Sequence, residues 1–361
     1  MTEKTEKKRH GRWLIGTLTG LAAVLALYAL AVIYIDPLFH YHAPQPNLSY
    51  PLNDERYQND GILRNFSYDS VIIGSSMTEH FKTSEAEALF GGKFVKTPFS
   101  GARGRELKER LARAYSSGHD IKRVIRPIDT KYLVADEDDI HDGYYFPEYL
   151  YNDNIFDDVN YIFNKSLFNR SVDVLMYTAS GRETTSFDDY VPWDAQGEPG
   201  RDTVLASYTL GEPAAEQKIF TEQDRSLMVD NIRENILELT QAHPETEFYY
   251  FFPPLSICYW DEMHNNKSVD WALEVVQTAI EELIEYDNVK LYGFDTAFDI
   301  VCNLDMYRDQ IHFDAPVCSQ LLEYMAADEY RLTPDNYLDY IEQAREFYSS
   351  YDYASLHEQE G

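Results

Sequence analysis

An α/β fold is what the sequence predicts: a three-layer α/β/α sandwich around a parallel five-stranded sheet, preceded by one transmembrane helix. Three observations carry this expectation. Five short apolar runs, at 70–74, 93–97, 123–128, 247–252 and 289–292, have the length and the β-branched or aromatic content of buried strands. Between them lie helical patterns with apolar side chains on one face, such as Leu107, Leu111 and Ala114 within 103–116. Strands that alternate with amphipathic helices bury both faces of a parallel sheet. Finally, residues 14–35 are 22 positions without a charge, long enough to cross about 30 Å of hydrocarbon as a helix.

Each element follows in order. Lys4, Lys7, Lys8, Arg9 and Arg12 outnumber Glu3 and Glu6, an excess of positive charge that keeps 1–12 in the cytoplasm as a basic tail. Residues 13–36 are then a signal anchor, and the main domain lies outside the cell membrane. Ala29-Leu30-Ala31 has the small-residue pattern of a signal-peptide cleavage site, although the apolar run continues beyond it; on either reading the main domain is exported. Residues 37–68, rich in Pro, Asn and Tyr, form a connector. The α/β domain occupies 69–330, with helices at 83–89, 103–116, 223–240 and 269–284 and another starting near Pro316. Its one long interruption, about 131–222, is too long to lack structure and is expected to hold helices of its own. Residues 331–361 are a C-terminal helix, around 337–347, and an acidic tail.

Charge and composition exclude several classes. Beyond residue 36 there are 26 basic against 59 acidic side chains, a net charge of −33, which rules against nucleic acid as a partner. Cys258, Cys302 and Cys318 are too few and too scattered for a zinc site, and read as small apolar core residues. His40-Tyr41-His42 has the outline of a ligand pair but no Cys or carboxylate at metal spacing, so it reads as structural. No cofactor or metal is implied.

The candidate chemistry begins at Gly74-Ser75-Ser76, at the carboxyl end of the first strand, where an α/β sheet collects ligands. A serine there needs a base, and the base an orienting acid. Asp309 and His312, three residues apart after the last strand, supply both: the carboxylate holds Nδ1 while Nε2 faces Ser76. His80 is a second candidate base one turn after Ser76. Tyr259 and Trp260, after the fourth strand, stand where a substrate wall would lie, and aromatic rings stack well on sugars.

Serine after the first strand with Asp-x-x-His after the last resembles the SGNH, or GDSL-type, esterase and acyltransferase superfamily over residues 68–328. The resemblance implies a flavodoxin-like sheet and makes Ser76 the nucleophile, with His312 as base and Asp309 as its partner. It implies an oxyanion hole from the N–H groups of Ser76 and Gly101, the latter in Ser100-Gly101-Ala102-Arg103-Gly104. The family's third block, Gly-x-Asn-Asp, is replaced by Arg126-Pro127-Ile128-Asp129-Thr130. Thr130 then stands in for the missing Asn as a donor, and Asp129 shapes the substrate site. With its N-terminal anchor the chain resembles the membrane-anchored bacterial envelope branch typified by the teichoic-acid D-alanylation protein. That implies a serine esterase or O-acyltransferase acting on an acylated glycan or lipid-linked polymer, alongside a membrane acyl-export partner. The missing Asn leaves open an inactive envelope scaffold or carbohydrate-binding protein.

Overall fold

The structure, a computed structural model, describes residues 3–141, 147–152, 154–191 and 198–357. The chain forms two compact units. One contains the described residues among 53–55, 67–145 and 186–361 and carries the sheet; the other contains those among 1–52, 56–66 and 146–185.

In the sheet-bearing unit the strands are β1 (Ser70–Gly74), β2 (Phe94–Pro98), β3 (Arg123–Pro127), β4 (Glu247–Phe252), β5 (Val289–Gly293) and β6 (Arg331–Leu332). Their order is β2-β1-β3-β4-β5-β6, with the first five parallel and β6 antiparallel to β5. The sheet therefore has six strands, not five. The extra one escaped the sequence because two residues have no periodicity; Gly293 N–H donates to the Tyr330 carbonyl at 3.1 Å and Leu332 is buried beside it. Val71, Ile72, Ile73, Val124 and Ile125 are fully buried, as strands covered on both faces require. Two cations are enclosed in this sheet and both are tied to carbonyls. Lys96 Nζ donates to Glu79 O at 2.5 Å and Arg126 Nη1 to Asn235 O at 3.1 Å; burial pushes the Lys96 pKa down to about 8.

The order 2-1-3-4-5 places a topological switch point between β1 and β3, where ligands of open α/β sheets bind beyond the carboxyl ends of the strands. The loop after β3 is held from the side by a π-turn, Arg233–Leu237, that interrupts the helical run between Glu222–Ile232 and Glu238–Ala242. Asn231 donates to the Leu133 carbonyl at 3.1 Å and Asn235 to the Glu137 carbonyl at 2.8 Å. Cys258 and Cys318 are buried thiols and Cys302 is half-buried.

The other unit begins with helix Glu3–Ile35, of which His10–Ile35 is long and apolar enough to cross a membrane and is mostly unburied within the protein. The helix stops because Asp36 turns left-handed, with φ of 44°, ahead of Pro37. The Asp36 carboxylate then folds back to accept the N–H groups of His40 at 2.9 Å, Tyr41 at 2.8 Å and His42 at 3.0 Å, and the Tyr161 hydroxyl at 2.5 Å. His40 Nε2 meets Asp158 at 3.2 Å, while His42 Nε2 meets the Ile33 carbonyl at 2.9 Å and its Nδ1 the Ala43 carbonyl at 2.6 Å. Two helices from the long interruption, Asp158–Ile162 and Lys165–Ala179, pack Tyr161 and Leu167 into a small core with Val32 and Leu38. A third, Arg201–Ser207, belongs to the sheet-bearing unit. Helix Glu55–Asn65 crosses the stretch that shows little periodicity in the sequence, because Gln58, Asn59 and Asp60 are buried on it. Its Gly61 is required: a Cβ there would run into the Leu38 carbonyl.

Candidate active site

β1 ends at Gly74, and the chain has no room there for a side chain: a Cβ would lie 2.8 Å from the ring of Pro127 on β3 and 2.6 Å from Thr78. Ser75 continues extended and its side chain accepts from Met77 N–H at 3.3 Å, capping the short 3₁₀ turn Ser76–Thr78. The Ser76 hydroxyl is thereby presented at the carboxyl end of the strand. It lies 2.7 Å from His312 Nε2.

His312 sits on a loop pinched at its base by a bridge between Tyr307 and Phe313 and by Arg308 N–H donating to the His312 carbonyl at 2.8 Å. The Ser256 hydroxyl anchors its tip through the Gln310 carbonyl at 2.6 Å. Inside the loop Asp309 Oδ1 accepts the N–H groups of Ile311 at 2.8 Å and His312 at 2.7 Å, and Oδ2 meets His312 Nδ1 at 2.7 Å. Burial alone would raise the Asp309 pKa, but the hydrogen bonds and charge of His312, with the Ile311 amide, hold it below the usual carboxylate range. An ionised carboxylate on Nδ1 keeps the proton there, so Nε2 is the nitrogen that accepts from Ser76. His80 is not at this position; its Nδ1 faces Asp314 at 3.9 Å.

Gly101 follows β2 in a left-handed conformation, φ 72°, and any Cβ would be 3.2 Å from the His141 ring. Its loop is tied to the serine turn by Ser100 Oγ, which donates to Glu79 at 2.5 Å. The backbone N–H groups of Ser76 and Gly101 donate to no protein acceptor among the described residues. Both residues line one small cleft, with about 60 Å³ of free space, together with Asp129, Thr130, Lys131 and Tyr259. Its apolar walls are Met77, Pro253, Leu255 and Ile311.

Asp129 and Thr130, from the position of the altered third block, thus border the same space as Ser76. The Asp129 carboxyl is enclosed, with Oδ2 unpartnered; burial raises its pKa, opposed by the Ser75 hydroxyl and the charge of Arg126. Thr130 borders the cleft beside Tyr259, whose phenol pKa burial also raises. Trp260, expected at the substrate wall, is elsewhere: 1% exposed and stacked on Tyr348 at 3.8 Å, it is a core residue. One helical step separates it from Tyr259, enough to turn one ring to the cleft and the other inward. Sequence reasoning missed Met77, Leu255 and Ile311, although Met77 and Ile311 each neighbour a residue it named. Among the described residues no group of three or more His, Cys, Asp or Glu is arranged to hold a metal ion.

No family model and no curated protein matches this chain. Among solved structures, "a putative platelet activating factor from Streptococcus pneumonia" aligns over 80% of this chain and 91% of its own length, with 12% identity and a TM-score of 0.39.

Proposed function

We propose that the chain is a membrane-anchored, extracytoplasmic serine esterase or O-acyltransferase of the SGNH type, with the five parallel strands as the centre of a three-layer sandwich. The observation that carries this reading is the continuous relay Asp309–His312–Ser76, with 2.7 Å at both ring nitrogens. His312 Nε2 takes the hydroxyl proton as Ser76 Oγ attacks an ester carbonyl. The N–H groups of Ser76 and Gly101 receive the developing oxyanion, with Thr130 in place of the family's Asn and Asp129 shaping the substrate site. Collapse breaks the ester C–O bond, and His312 returns the proton to the departing alcohol. The acyl-serine is then released to water, which makes an esterase, or to a second hydroxyl, which makes a transferase. The small apolar-walled cleft suits a short acyl chain. Acylated envelope glycans or lipid-linked polymers are the substrates this reading favours, with a membrane acyl exporter as donor partner. In this reading 1–12 face the cytoplasm, 13–36 span the membrane, and the catalytic domain of 69–330 lies outside.

The altered third block favours one rival, an inactive scaffold, because a lost oxyanion donor costs about 100- to 1000-fold in rate. A fluorophosphonate probe separates the two. Labelling of the native protein that vanishes in Ser76→Ala, with activated-ester hydrolysis falling by ~10⁴–10⁶-fold, is the expected result. No labelling of the folded native protein would sink the enzyme reading.

A further inference from the structure

We infer a second membrane contact: the segment 155–176, in the unit that begins with helix Glu3–Ile35, lies in the outer leaflet of the bilayer, beside the spanning helix. The inference rests on reading His10–Ile35 as a membrane span. The first observation is a run of large apolar side chains that the protein itself leaves uncovered. Ile155 is 74% and Phe156 83% exposed, and Val159 and Phe163 about half exposed.

The second is the pattern of helix Lys165–Ala179. Leu167, Ser171 and Val174 form its buried stripe, at intervals of four and three. Beside that stripe, Phe168, Val172, Leu175 and Met176 are exposed at helical spacing, and the remaining arc carries Ser166, Asn169, Arg170 and Asp173. A soluble helix would put polar residues where those four apolar ones stand. A helix with one face on protein, one apolar face uncovered and one polar face suits the boundary between lipid and water.

The third observation fixes the occupant. Tyr28, inside the span, stacks on Phe163 with ring centroids 5.8 Å apart and lies 6.2 Å from Phe168. It is seven residues before the end of the helix at Ile35, which at about 1.5 Å per residue places its contacts ~10 Å below that end. Interfacial helices sink about 5–10 Å into the headgroup and acyl boundary, so the depth set by the span and the depth such a helix seeks coincide. Because the apolar faces are continuous with the lipid-facing surface of the span, the same lipid covers both. Tyr34 and Tyr41 stand near the end of the span, where aromatic side chains mark the interface.

The test is spin labelling of the full chain in vesicles of phosphatidylcholine and phosphatidylglycerol. Single cysteines replace Phe156, Val159 and Met176 in a Cys302→Ala background, with Leu21→Cys as a label in the span and Glu212→Cys as a label in water. The readout is the accessibility of the nitroxide to oxygen relative to a water-soluble nickel chelate. The expected result is a several-fold higher oxygen-to-nickel ratio at 156, 159 and 176 than at 212, on the side of the ratio at 21. Nickel-accessible labels at 156, 159 and 176 with an oxygen-rich label at 21 would overturn the inference and leave the span intact. Labels at these sites shielded from both reagents would overturn it in favour of a protein occupant. A water-accessible label at 21 would overturn the span and the inference together.

Discussion

Asp36, at the end of helix Glu3–Ile35, and Asp309, in the sheet-bearing unit, are both enclosed carboxylates with histidines close by in sequence, yet they differ in almost everything that matters for chemistry. Asp36 gathers three amides and a phenol, while His40 turns Nε2 to Asp158 and His42 turns both ring nitrogens to backbone carbonyls. Nothing in that cluster faces a nucleophile. Asp309 uses one oxygen for two amides and the other for an imidazole, and the far nitrogen of that imidazole meets a hydroxyl at the edge of a cleft. The same residue types make a helix stop in one place and a hydrogen-bonded Asp–His–Ser chain in the other. What separates them is the partner of the second ring nitrogen.

This comparison can be broken at its strongest point by Asp309→Asn. Amide for carboxylate keeps the size but removes the charge that holds the proton on Nδ1, and kcat for an activated ester is expected to drop by about 10⁴-fold. Circular dichroism should remain native; a loss of less than tenfold would mean the relay is not the working unit. The matching change on the other side, Asp36→Asn, has the opposite signature. It leaves amide donors near the helix end poorly satisfied, at about 1–3 kcal/mol. The expected outcome is a lower thermal midpoint of the full chain in detergent with kcat unchanged, and a fall in kcat would show that the cluster does more than fold.

A third carboxylate sharpens the contrast on the pH axis. Asp295, fully buried beyond β5, accepts from the Tyr340 hydroxyl at 2.6 Å, and burial raises its pKa to about 7. An unfolded aspartate titrates near ~3.9, so the folded state holds this proton more tightly. The stabilisation is fully present below ~pH 4 and is lost as pH rises through about 7. Asp295→Asn should therefore gain on the native protein as pH rises from 5 to 8, by about 2–3 kcal/mol in urea denaturation. A gain that is independent of pH would remove Asp295 as the titrating group.

Much of the sheet was legible because its strands are buried on both faces and so read as unbroken apolar runs bounded by turn residues. β6 was not legible, and neither was helix Glu55–Asn65, which buries Gln58, Asn59 and Asp60 beside Ile62 and Leu63 through contacts distant in sequence. At the site, Ser76, Asp309 and His312 stood out because the order of strands brings their two loops to one sheet edge. The surroundings were less readable. Trp260 and Tyr259 are adjacent in sequence yet point to core and cleft, and nothing local says which does which. The grip of Asn231 and Asn235 on the loop after β3 depends on a π-turn that no periodicity announces.

The pinched loop that carries His312 separates two kinds of change during descent. Its ends are joined by Tyr307 and Phe313, its tip is pinned through the Gln310 carbonyl, and the Ile311 amide is fixed by Asp309, while the Ile311 side chain alone extends to the cleft wall. Substitution at 311 can therefore resize the cleft while the contacts that hold His312, through the Asp309 carboxylate and the loop backbone, involve no atom of that side chain. The loop is a mount with an exchangeable tooth: the wall of the cleft can change there without moving the Asp309–His312–Ser76 contacts.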